Sequence, residues 1–80
     1  MAQKKIYILA GSHEHPEECE PDIITDVFTS RREAAKEACE IFRETFPAYA
    51  DEFTIAGCME SNFFEEGGEV LKLEINAFSI

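Results

Sequence analysis

Apolar residues recur along the chain with two different periods, and the change of period marks its elements. From Asp22 to Phe46 (DIITDVFTSRREAAKEACEIFRETF) an extended run passes directly into a helical one. Ile23, Thr25, Val27 and Thr29 alternate with Ile24, Asp26 and Phe28, a strand pattern whose register stays open because both faces are mixed. Ala35, Ala38, Cys39, Phe42 and Phe46 then follow at i, i+3, i+4, i+7 and i+11, with Ala34 and Ile41 on the flanks of the stripe. Ser30 stands before this run and Glu33 three residues later, the capping-box pair that satisfies free N–H groups of a first turn. Pro47 ends the run. The spacing predicts one helix over about 31–46, and the alanines near its start suit close approach to a sheet. Arg31 and Arg32 in the first turn oppose the helix dipole, a local conflict that the pattern does not explain.

The flanking segments read as sheet. Lys4 to Ala10 (KKIYILA) is β-branched and aromatic, with Ile6, Ile8 and Ala10 on one face and Tyr7 and Leu9 on the other. Apolar residues on both faces predict a central strand. Gly11 to Pro21 (GSHEHPEECEP) is predicted as a loop, since its Gly, Ser and two Pro break periodicity. Glu52 to Met59 (EFTIAGCM) is predicted as a third strand, and Glu60 to Glu69 as a turn region around Gly67-Gly68, a two-residue hairpin signal. Val70 to Ile80 alternates most cleanly, with Leu71, Leu73, Ile75 and Ala77 on one side and Lys72, Glu74 and Asn76 on the other. The expectation is a single α+β domain over 1–80, in the order β-β-α-β-β, with an antiparallel sheet and the helix packed on one face.

Composition narrows the setting. Eighty residues leave room for one small core. Cys19, Cys39 and Cys58 are odd in number and without paired spacing. Cys39 falls in the helix and Cys58 in the expected third strand, where cysteine acts as a small hydrophobe, so a reduced, cytoplasmic protein is expected. The apolar run behind Lys4 and Lys5 is too short for a secretory signal, and no stretch reaches the length of a membrane span.

Charge adds more. The net charge is −10, and the acids come in two blocks free of Lys and Arg. Residues 6–30 carry Glu14, Glu17, Glu18, Glu20, Asp22 and Asp26; residues 44–71 carry Glu44, Asp51, Glu52, Glu60, Glu65, Glu66 and Glu69. Four of the seven bases, Arg31, Arg32, Lys36 and Arg43, lie on the helix. Such a field repels phosphates and excludes direct nucleic-acid binding, while it attracts a basic surface. The plainer reading is that the charge keeps a small protein soluble.

Three constellations are candidates for function. Glu14, Glu17, Glu18, Glu20, Glu60, Glu65, Glu66 and Glu69 with Phe63 and Phe64 combine acidic steering with aromatic anchors, the mixture that protein interfaces favour. His13 and His15 point to the same side of an extended backbone and can share a metal ion, with Cys19 or a carboxylate as third ligand. Their spacing matches no standard zinc pattern, and a solvated polar loop is the preferred reading. The third is the two-sided apolar strand Lys4 to Ala10, which suits pairing with a second copy. No nucleophile has a recognisable His–acid partner and the carboxylates fall in loops, so a non-enzymatic protein without a cofactor is expected. The expected role is an acidic module for binding a basic protein surface; a homodimer and a weak metal loop are the alternatives.

The order IYIL, a His-containing acidic loop, then Val27 to Ala34 (VFTSRREA) opening a helix, then FTI resembles a family of small bacterial and phage proteins of unknown function. The resemblance covers roughly the first three-quarters of the chain. It implies a strand, a capped helix and further strands, and carries no activity. In size and charge the chain is similar to phage-encoded inhibitors of host defence, including anti-CRISPR proteins. That likeness implies an inhibitor that occupies a basic nucleic-acid-binding protein.

Overall fold

The computed structural model describes residues 4–17, 20–59 and 61–80. Its elements are β1 (Lys5–Glu14), β2 (Asp22–Phe28), α1 (Arg31–Thr45), β3 (Ser61–Glu66) and β4 (Glu69–Ser79). Two short 3-10 helices, Pro47–Glu52 and Ala56–Cys58, join α1 to β3. The strands form one antiparallel sheet in the order β2-β1-β4-β3. Two hairpins therefore lie side by side, and β1 is central, as its two apolar faces predict. The protein is a small α+β domain with the helix on one face of the sheet.

That face holds the core. Leu9 of β1 lies opposite Ile75 of β4, and Leu71 and Leu73 extend the same row. Against them pack Ala34, Ala35, Ala38, Cys39 and Phe42 of α1, all buried. Each large side chain buried in this way contributes about 1.5–3 kcal/mol. The Cα trace measures 50 × 28 × 14 Å, a slab one sheet and one helix thick. Among the described residues no helix packs on the second face of the sheet.

The ends of α1 follow from local chemistry. Ser30 is extended (φ −139°, ψ 136°), and its Oγ accepts the Glu33 N–H at 3.4 Å. The helix ends at Thr45, and Pro47 opens the next 3-10 turn. Arg31 gains a structural reason. Its Nη1 donates to the Met59 carbonyl at 2.7 Å, and its guanidinium lies 5.3 Å from the Tyr7 ring centre. A charge-assisted hydrogen bond and a cation–π contact offset the unfavourable position on the dipole.

Three sequence expectations are corrected. Residues 52–59 are not a strand. The Gly57 N–H is taken by Thr54 Oγ1 at 3.0 Å and the Phe53 carbonyl by Arg43 of α1 at 2.8 Å, so side-chain partners, one local and one from the helix, replace a ladder. Phe53 and Cys58 instead plug the core beside the helix. The third strand is Ser61–Glu66, inside the stretch predicted as a turn; only Gly67 and Gly68 turn, with φ of 60° and 86°. Finally, β1 does not stop at Gly11 but runs through to Glu14, which puts His13 in a strand. A glycine inside a strand marks a close backbone approach, here to β4.

Candidate functional site: an acidic pole with two histidines

The register places both acidic segments at one end of the sheet. Glu14 of β1 faces Val70 of β4, which faces Glu65 of β3, and Glu66 faces Glu69 across the turn. A Cβ on Gly68 would lie 3.3 Å from Pro16, so the β1–β2 loop touches the β3–β4 turn. Glu14, Glu17, Glu20, Asp22, Glu65 and Glu66 are exposed there, and Glu69 is half-buried. Glu18, Cys19 and Glu60 lie outside the described residues.

Of the bases, Lys72 borders this pole, facing Ser12 and Phe63 two positions along β4 from Val70. Lys4 and Lys5 start β1 at the opposite end, and Arg31 reaches Tyr7 on that side. Across the ten residues of β1 the poles are roughly 30 Å apart. That exceeds the screening length of about 8 Å at physiological salt, so the basic end does not neutralise the acidic one.

Charge at this pole perturbs one neighbour. The Tyr49 phenol is held above its ordinary value, first by its hydrogen bond to the Glu66 carboxylate and then by the negative charge of that group.

The aromatic pair divides. Phe64 points toward the helix and meets Phe46 (4.7 Å between ring centres), Phe53 (5.1 Å) and Tyr49 (5.2 Å), the packing of a core residue. Phe63 is 54% exposed on the opposite face, with Lys72 Nζ 6.0 Å from its ring centre.

His13 and His15 stand in this pole beside two carboxylates. His13 Nε2 donates to Glu69 Oε2 at 2.5 Å. His15 Nε2 lies 3.4 Å from Asp22 Oδ2, and His15 Nδ1 lies 3.7 Å from Glu69 Oε2. The rings are 3.9 Å apart between centres. Asp22 faces His13 across the β1–β2 ladder, a pairing hidden from the sequence while β1 was expected to end at Gly11.

The second face of the sheet is a separate feature. Ile23, Val27, Phe63, Phe78 and Ile80 are the exposed large hydrophobic residues among those described, and strand alternation puts the first four on the side away from α1. An open depression of about 720 Å³ on this face lies between Ala10, Ser12, Phe63, Lys72 and Glu74.

The two thiols of the described residues, Cys39 and Cys58, are free and buried. Burial raises the Cys58 thiol above its ordinary value, although Asn62 Nδ2 donates to its sulfur at 3.6 Å. Among the described residues no helix is long and apolar enough to cross a membrane. Compared with protein-family models, curated proteins and solved structures, the chain matches none of them.

Proposed function

We propose that the protein is a non-enzymatic interaction module that presents its acidic pole to a basic protein surface. One observation carries this reading: two acidic segments far apart in sequence are joined at the end of the sheet opposite Lys4 and Lys5, with Lys72 at their border. A concentrated field of one sign steers association with a surface of the other sign and repels nucleic acid. In its most concrete form the module is an inhibitor, a decoy on a nucleic-acid-binding protein of a phage defence system, where glutamates take the place of phosphates. The free thiols fit a reducing, cytoplasmic setting. A pull-down at low salt with the full chain is the test. Recovery of basic proteins that elute as salt rises supports the reading; recovery of none contradicts it.

A second reading, self-association, is favoured by the exposure of Ile23, Val27, Phe63, Phe78 and Ile80. Ser12, Lys72, Glu74 and Asn76 share the face away from α1 and lie among the apolar residues, so the surface is mixed in the way interfaces between separately folded copies are. Strands of 10, 7, 6 and 11 residues present roughly 540 Å², about two-thirds of the about 800 Å² that each partner contributes to a standard interface. A second copy, packed face to face, is the occupant of that size. Sedimentation showing only monomer at high concentration removes this reading and leaves the first intact.

A further inference from the structure

We propose that His13, His15 and Asp22, supported by Glu69, form a binding site for a divalent transition-metal ion, with Zn²⁺ the ion that suits the donors best. The inference does not depend on the acidic pole binding a protein.

The sheet assembles the donors from three segments. β1 pairs with β2 on one side and β4 on the other, so His13 faces Asp22 across one ladder and Leu71 across the other. Glu69 precedes Leu71 by two residues and so shares its face, as His15 shares that of His13. One donor atom each from His13, His15 and Asp22 lies within 4.8 Å of the others. Bonds of about 2.0–2.2 Å to a tetrahedral Zn²⁺ separate its donors by about 3.4 Å. The His15–Asp22 pair stands at 3.4 Å already. Closing the widest pair takes a shift of about 1.4 Å, within reach of side-chain rotation.

Partial burial makes this more than a surface cluster of acids. The side chains of His13 and Glu69 are 16% and 29% exposed and that of His15 31%, while Asp22 closes the site from the solvent side at 66%. Glu69 Oε2 faces both rings, the carboxylate–imidazole contact that orients a metal-bound histidine and raises its basicity. Two imidazoles with a carboxylate match Zn²⁺, Ni²⁺ or Cu²⁺, whereas Mg²⁺ and Ca²⁺ take oxygen ligands. The surrounding acids favour any cation, so the histidines supply the selectivity. A bound ion would tie the β1–β2 loop to the start of β4 and offset charge where the acids crowd.

The test titrates the chelator-treated full chain with ZnCl₂ in a calorimeter and follows thermal unfolding with and without the ion. The proposal expects one Zn²⁺ per chain, a raised Tm, and no heat from MgCl₂ under the same conditions. His15→Ala and Asp22→Asn are each expected to weaken Zn²⁺ binding at least tenfold with the apo circular dichroism spectrum unchanged, and Glu69→Gln by about tenfold. Cys19→Ala is expected to bind as the parent does. With Co²⁺, visible d–d bands without an intense thiolate charge-transfer band support the nitrogen and oxygen donor set. Absence of binding, Zn²⁺ affinity unchanged by both His15→Ala and Asp22→Asn, or a thiolate band removed by Cys19→Ala would overturn it.

Discussion

A Cβ built on Gly11 would sit 1.8 Å from the carbonyl oxygen of Lys72 on the neighbouring strand. Two backbones approach here more closely than any side chain allows, and the contact falls between the two central strands that carry the core. Gly11→Ala must push β1 from β4 and is expected to cost about 3 kcal/mol. Gly67 is different: open space surrounds it and only its φ of 60° matters. Gly67→Ala is expected to cost about 1 kcal/mol and Gly67→Asn almost nothing. Guanidinium chloride midpoints measure the order, and equal midpoints for the two alanine variants contradict it.

The two arginines of the first helical turn should behave in opposite ways. Arg31 gives up dipole energy but holds the Met59 carbonyl and lies on Tyr7. Arg31→Ala is expected to destabilise by about 1.5 kcal/mol. Arg32 is exposed, and Arg32→Ala is expected to be neutral or stabilising by a few tenths of a kcal/mol (~0.3). Thermal unfolding of the two variants checks the sign of each.

Phe63 and Phe64 are adjacent in sequence and separate in energetics. Phe64→Ala opens a void among Phe46, Tyr49 and Phe53 and is expected to cost about 3 kcal/mol. Phe63→Ala is expected to cost about 0.5 kcal/mol or less, and to weaken any dimer formed through the second face of the sheet. Denaturation and sedimentation of both variants separate the two roles.

Stability should fall on the alkaline side. Cys58 and Tyr49 both have raised values in the folded state, so both favour the protonated form there. The unfolded chain releases these protons at lower pH than the folded one, and alkali therefore favours unfolding. The contribution is fully present below the ordinary thiol and phenol ranges and is lost as pH rises through them toward the raised values. A denaturation series from pH 7 upward is expected to show this fall, and Cys58→Ala should remove the thiol part. A disulfide reagent at pH 8 should modify Cys39 and Cys58 slowly until denaturant is added, because both thiols are buried.

Much of the fold was legible because local signals agreed with one another. Ser30, the alanine and phenylalanine stripe and Pro47 each marked α1, and the alternation from Leu71 to Ala77 marked β4. The errors came where a tertiary partner overrode a local pattern. Phe53 and Ile55 alternate like a strand, but Arg43 takes the carbonyl of Phe53 and the segment turns. Gly11 looked like a strand end, although its closest partner is Lys72, sixty-one positions away. The candidate site suffered most from that second error. With β1 shortened, His13 had no cross-strand neighbour, so the carboxylate that could serve as third donor beside Cys19 was not identified as Asp22. The two acidic segments were visible as composition, but their meeting is a property of the strand order β2-β1-β4-β3, which alternation does not encode.

The place of the charge, rather than its amount, is the central claim, and two charge-matched variants test it. One replaces Glu14, Glu17 and Glu65 at the pole with Gln; the other replaces Glu33, Glu40 and Glu44 of α1, all six being exposed. Each variant and the parent are used as bait at a series of salt concentrations, and the basic proteins retained are quantified. Loss of retention for the pole variant alone, with a shallower salt dependence, is the predicted result. Equal loss for both variants, or none for either, would contradict the account.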